Sequence, residues 1–203
     1  VDWSWPWGDA LELLRSAGCD ARIINLETSI TTSDDFLPGK AVHYRMNPAN
    51  AEALAQVRPD VCVLANNHVL DFGRRGLLET LDVLSAAEFP AAGAGRSLRE
   101  ARSPASISIS KTGGRVLVFA FGSPSSGVPY EWRATEDTPG VHVVAALSDA
   151  AADELCHQVR ELRRPGDIAI VSAHWGSNWG YRVPADQVRF AHRLIDGGVD
   201  VVH

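Results

Sequence analysis

The run Asp60-Val61-Cys62-Val63-Leu64-Ala65 is apolar from its second residue and breaks into Asn66-Asn67-His68, with Asp71 three residues further on. An apolar stretch of that length between polar residues predicts a buried strand of a parallel or mixed sheet. Polar side chains at the carboxyl end of such a strand stand where open α/β sheets bind their ligands. Immediately after it, Leu77, Leu81 and Leu84 recur at helical spacing and predict an amphipathic helix over 74–88.

Strand and helix signals alternate along the rest of the chain. Ala10, Leu11, Leu14 and Ala17 share a helical face, with Asp9 and Glu12 placed as a capping box and Gly18 as terminator. A strand is expected over 21–27, then a loop over 28–48 rich in Thr, Ser, Asp, Pro and Gly and interrupted by the mixed patch 42–46. Pro48 and Asn50 introduce a helix through Ala51, Leu54, Ala55 and Val57. Gly93-Ala94-Gly95 is followed three residues later by Leu98, which breaks the dinucleotide-binding fingerprint, so this segment reads as a turn. Residues 106–110 alternate with period two and lead through Lys111-Thr112-Gly113-Gly114 to the apolar run 115–121. That pattern is a hairpin, half exposed on its first strand and buried on its second. The Ser/Pro/Gly-rich stretch 122–140 is a loop long enough to expect a functional role. A helix over 148–163, a strand over 167–173, a helix over 187–195 and a strand over 199–203 complete an α/β pattern read as one domain.

Composition narrows the function classes. The 203 residues suffice for one substantial α/β core, and a net charge of −6 argues against a basic nucleic-acid surface. No apolar run approaches the roughly 20 residues of a membrane span, and no charged-then-apolar leader opens the chain. Three cysteines, odd in number and scattered, fit neither a disulfide framework nor a zinc spacing and read as reduced thiols of a cytoplasmic protein. The chain opens without a strand and closes on one, so it is expected to be part of a longer protein.

Four strands end in ligand-type residues: Glu27 with Asn25, Asn67-His68, His174 and His203. Strand ends of one sheet converge on one edge, so groups far apart in sequence can meet there. Carboxylate, amide and imidazole together suit Mn, Fe or Zn ions. Two such ions at roughly 3.5–4 Å can activate a water and stabilise the opposing oxygens of a phosphoryl or acyl transfer. His142, His157 and His192 read as structural. Arg45 is a candidate clamp for an anionic group of a substrate, and Trp175, with Trp179 and Tyr181, a candidate pocket wall.

The segments Asn25-Leu26-Glu27-Thr28, Ala65–Gly73, Ala92–Gly95, His174-Trp175-Gly176 and Ala191–Val202 resemble the CapA-type poly-γ-glutamate capsule synthesis family of bacteria, within the calcineurin-like metallophosphoesterases. The resemblance spans about residues 3–203, and the ordered series is more specific than any single motif. It implies a layered α/β/β/α sandwich, here incomplete at both ends, with a dinuclear site of divalent metal ions. Within that site it implies Glu27, Asn67 and His174 as metal ligands and His68 as the acid that acts on the leaving group, with Asp71 orienting it. A metal-activated water would serve as nucleophile in a hydrolase acting on an amino-acid polymer, a peptide or a phosphoester. The family's first-strand Asp and its Gly-His-x-His segment have no counterpart between Val1 and His203, so weak metal binding by these 203 residues is expected. His203 would neighbour the ligand segment and not belong to it. Two further readings stand beside the hydrolase: a metal-dependent epimerase-like acid/base enzyme on a peptide, and a non-catalytic scaffold subunit of a capsule synthase.

Overall fold

The computed structural model describes residues 1–109 and 113–203. Its first elements are α1 (Ala10–Ser16), β1 (Ile23–Asn25), β2 (Ser29–Ile30), β3 (Arg45–Met46), a 3₁₀ turn at Pro48–Asn50, α2 (Ala51–Val57) and β4 (Val61–Val63). There follow α3 (Gly73–Ala86), β5 (Ala91–Ala92), β6 (Ala94–Gly95), α4 (Leu98–Arg102), β7 (Ala105–Ser108) and β8 (Arg115–Gly122). Two 3₁₀ turns, Pro124–Ser126 and Tyr130–Trp132, precede β9 (Gly140–Val141), α5 (Asp149–Leu162), β10 (Ile168–His174), α6 (Ala185–Asp196) and β11 (Val201–Val202). No described helix is long and apolar enough to cross a membrane.

The caps correct the sequence reading in two places. Asp9 already has helical backbone angles and makes no side-chain cap bond, because the chain is turning before it reaches α1. Asn50 stands at the N-cap position of α2 but makes no side-chain cap bond, and the 3₁₀ turn leading into α2 is capped by Asn47. Its side chain accepts from the Ala49 N–H at 2.9 Å, and Pro48 fills the first helical position, where no N–H is needed. Ser97 and Ser148 cap α4 and α5 in the ordinary way.

Two sheets form the frame of this mixed α/β fold. One is all parallel, in the order β1-β4-β5. The other runs β11-β10-β8-β7, parallel except for β7, which returns antiparallel to β8 as the hairpin reading requires. The expected turn residues Lys111 and Thr112 lie outside the described residues. The 28–48 loop contributes β2 and β3, a parallel pair too short for a periodicity to register. In the glycine-rich turn the bend falls at Gly93, while Ala94-Gly95 pairs antiparallel with β9.

Strand β8 divides the interior. Val116, Val118 and Ala120 belong to a core shared with β4, α2 and α3, while Leu117, Phe119 and Phe121 pack with α5 and α6. The period of two in a strand, applied to a run apolar at every position, thus supplies both cores from one segment. Residues of both sheets crowd Gly93, where an added Cβ would lie 2.5 Å from Ala65 Cβ and 2.8 Å from Ala120 Cβ.

His142 bridges the loop side of β8. Its ring nitrogen Nδ1 lies 3.0 Å from the Ala120 carbonyl, and it is buried with Phe121 at its edge. Burial pushes its pKa from 6.5 to about 4, only partly opposed by the bond to Ala120. The unfolded chain therefore takes up this proton first as the pH falls. Stability is full above the unfolded value of 6.5 and drains away as the pH drops toward about 4. Between pH 7 and pH 5 this one group should remove about 2 kcal/mol. Denaturant midpoints at the two pH values check it: His142→Gln should flatten the decline, and an equally steep decline in the variant would assign the acid sensitivity elsewhere.

Candidate functional site

The parallel sheet delivers Glu27 and Asn67 to one edge. Strand β1 ends at Asn25, and the Leu26 N–H donates to the carbonyl of Val63, the last residue of β4, at 2.9 Å, carrying the pairing one residue past β1. Beyond that point Asn66 is fully buried. Its Nδ2 donates to Asn25 Oδ1 and to the Leu26 carbonyl, each at 3.0 Å, and its Oδ1 accepts from the His68 N–H at 3.1 Å. One amide side chain thus ties the ends of β1 and β4 together and sets the turn that presents Asn67 and His68. Asn25 Nδ2 in turn donates to Glu27 Oε2 at 2.8 Å, which fixes that carboxylate.

The second sheet delivers His174, the last residue of β10, in register with Gly122 at the end of β8. The long 122–140 loop holds it: Ser123 N–H and Ser126 Oγ–H both donate to the His174 carbonyl, at 3.0 and 2.6 Å. The same loop passes over Asn67, where a side chain at Gly127 would come within 3.6 Å of Asn67 Nδ2. From the opposite sheet, His174 Nε2 reaches 3.1 Å from Asn67 Oδ1. Burial pushes the His174 pKa below the ordinary imidazole value, with Glu27 opposing and His68 adding to the shift.

His68 is built as an oriented imidazole. Its Nδ1 lies 2.7 Å from Asp71 Oδ2, three residues on in the same turn, and Asp71 is fully buried. With its proton on Nδ1, facing that carboxylate, the ring turns Nε2 toward Glu27, whose Oε1 is 3.9 Å away; the Lys40 ammonium stands beside the same Nδ1. The Tyr44 ring stacks on the imidazole, centroids 4.1 Å apart, and the Tyr44 N–H donates to Asp71 Oδ2 at 2.7 Å. Lys40 completes the cluster: its Nζ donates to Asp71 Oδ1 and to the Asn67 carbonyl, stands 3.1 Å from His68 Nδ1, and lies 5.6 Å above the Trp132 ring.

Of the residues singled out from sequence, Glu27, Asn67, His68, Asp71 and His174 come together. Arg45 instead donates to the Ser33 carbonyl and to Asp34 and covers Phe72. Trp175 packs edge-on against Phe121 and Phe190 in the helix-side core, while Trp179 and Tyr181 are exposed. His203 Nδ1 lies 3.1 Å from Ser172 Oγ on the neighbouring strand. Lys40 and Tyr44 were not singled out, since each sits in an irregular segment and meets Asp71 only through the tertiary fold. One signal was present: Lys40 is one of two lysines in a chain with seventeen arginines.

The donor set suits a divalent cation in part. The 3.1 Å between Asn67 Oδ1 and His174 Nε2 is close to the separation of two adjacent ligands with bonds of about 2.1 Å. Glu27 adds a carboxylate oxygen at the same edge. Among the described residues no three His, Cys, Asp or Glu side chains group as a metal site, so the amide is essential to this set.

The profile of a family described as "Bacterial capsule synthesis protein PGA_cap" matches residues 1–203. A probable polyglutamine synthesis accessory protein of Mycobacterium tuberculosis is 49% identical over 204 aligned positions, covering all of this chain and 53% of the relative. The PGA biosynthesis protein CapA of Bacillus subtilis is 26% identical over 179 positions, 88% of this chain and 44% of that protein. The capsule biosynthesis protein CapA of Bacillus anthracis is 23% identical over 167 positions. The chain spans about half the length of the mycobacterial relative or less for the others.

Proposed function

The chain belongs to the bacterial capsule synthesis protein family PGA_cap, and from that premise we propose that it houses the catalytic site of a metal-dependent hydrolase. The observation that supports this most is the meeting of Asn67 Oδ1 and His174 Nε2, from two different sheets, beside an imidazole already fixed in orientation. The overall architecture would be the layered calcineurin-like sandwich, on the ground that β8 feeds two separate cores.

In this reading Glu27, Asn67 and His174 hold divalent cation at the strand ends. When bound, such a cation supplies Lewis acidity and makes water a stronger nucleophile at neutral pH. The protein's own part is positional. Asn66 fixes the turn, Ser123 and Ser126 hold β10's last residue, and Tyr44 and Asp71 keep the His68 ring in one orientation. As the imidazolium, His68 would give its Nε2 proton to the departing group and be left neutral with the Nδ1 proton facing Asp71. The substrate class follows from the relatives' names, which concern polyglutamine synthesis and PGA and capsule biosynthesis: an amino-acid polymer or a peptide derived from one.

Glu27→Ala and Asn67→Ala should each weaken ion binding by about 10-fold or more, since even the supporting residues around a ligand are worth that much. Titration of the full natural-length protein with Mn²⁺ measures it. Unchanged affinity in both variants would remove these residues from any metal site. A non-catalytic role in a synthase assembly is the second reading, favoured by the word "accessory" in the mycobacterial name. It predicts that the ion-free protein still binds its partners and that no turnover responds to either substitution.

A further inference from the structure

Resting on that reading of the site, we infer that Lys40 is a positioning residue for His68 and Asn67, and that its ammonium fixes both together. Asp71 is fully buried, and both of its oxygens are in use. Oδ2 takes His68 Nδ1 and the Tyr44 N–H, while Oδ1 takes Lys40. Lys40 is the cation bonded to that carboxylate whatever the state of the imidazole. The same ammonium donates to the Asn67 carbonyl, the peptide group that joins the amide residue to the imidazole residue. One cation therefore pins the carboxylate behind His68 and the backbone from which Asn67 and His68 both spring.

The choice of lysine supports a local demand. The chain uses seventeen arginines and two lysines, so lysine at this position is not a habit of composition. An ammonium is a compact donor that can serve two oxygens meeting at one point, whereas a guanidinium is a planar fork suited to parallel acceptors. Here the acceptors are one carboxylate oxygen and one carbonyl, and the Trp132 face closes the remaining side. Position 40 is only partly exposed and lies thirty-one residues from Asp71, so a loop that looked featureless in sequence is stapled to the site through this side chain.

The test uses the full natural-length protein labelled with ¹⁵N-histidine. His68 should show a slowly exchanging Nδ1 proton in the unaltered protein. That signal should be lost or broadened in both Lys40→Met and Lys40→Arg, with kcat down about 100-fold and KM nearly unchanged, the penalty expected of misplacing a reacting group by about 1 Å. Rescue separates position from bulk charge. Lys40→Cys in a Cys19→Ser background, alkylated with 2-bromoethylamine, regains an ammonium on a stem of lysine length. Cys62 and Cys156 are buried, and burial pushes both thiols up, to about 12 for Cys62, which keeps them out of that reaction. Return of the His68 signal on alkylation supports the inference. Full activity and an unchanged signal in Lys40→Met would overturn it, as would equal rescue by arginine. The two readings fail separately: a Lys40-dependent His68 signal in a protein without turnover keeps the positioning role and removes the hydrolase. A His68-dependent turnover indifferent to Lys40 does the opposite.

Discussion

His68→Ala, in the hydrolase proposed above, should lower turnover by about 10²- to 10⁴-fold, the usual worth of a placed general acid, without loss of divalent-ion binding. The separation follows from which atoms are free. Nδ1 is committed to a buried carboxylate, so only Nε2 faces the edge where Glu27 stands 3.9 Å away. The Asn67–His174 contact does not involve the ring at all. Because His68 is buried under Tyr44, the alanine variant also opens a gap, and His68→Gln serves beside it to preserve volume. Ion content is read by elemental analysis, turnover by release of product from a peptide or polymer substrate, and folding by thermal melts. Loss of ion and turnover in the same proportion would make His68 a ligand and end its assignment as the acid.

That Glu27, Asn67, His68 and His174 would lie together could be read from the chain because strand ends are abrupt. Where Val61–Ala65 gives way to Asn66-Asn67-His68, the change from apolar to polar marks both the end of a strand and the start of the candidate site. His174 and Glu27 announce themselves in the same way. The supporting residues could not be read in this manner. Lys40 and Tyr44 reach Asp71 from an irregular loop whose pairing partners, β2 and β3, are two residues each. The sequence does not distinguish Asn66 from its neighbour Asn67, although the Asn66 amide is consumed by Asn25, Leu26 and His68. Nor does a run apolar at every position, such as 115–121, declare which residues face which core. That division depends on the parallel sheet β1-β4-β5 lying against one side and α5 and α6 against the other.

The same dependence on two sheets makes Gly93, where residues of both meet, a sensitive place in the frame. Gly93→Ala should destabilise the protein by about 2–6 kcal/mol, combining a strained left-handed backbone with an overpacked contact. Gly93 has φ of +90°, and its new methyl carbon would fall 2.5 Å from Ala65 Cβ, 2.8 Å from Ala120 Cβ and 3.1 Å from the Ala65 backbone nitrogen. None of these neighbours is the flexible end of a side chain, so the sheets themselves must separate. Against a typical net stability of about 5–15 kcal/mol the loss is a large fraction. Gly180→Ala isolates the two contributions, since Gly180 has φ of +88° and nothing within 4 Å of the added carbon. Denaturant midpoints should place Gly93→Ala well below Gly180→Ala, and equal midpoints would show that the sheets do not meet as closely as described. The functional consequence is specific. Ala65 immediately precedes Asn66-Asn67, and Ala120 lies two residues before Gly122, which is in register with His174. Forcing Ala65 and Ala120 apart therefore draws Asn67 away from His174. Whatever fraction of Gly93→Ala stays folded should bind divalent ion more weakly than Gly180→Ala, although neither glycine touches the site.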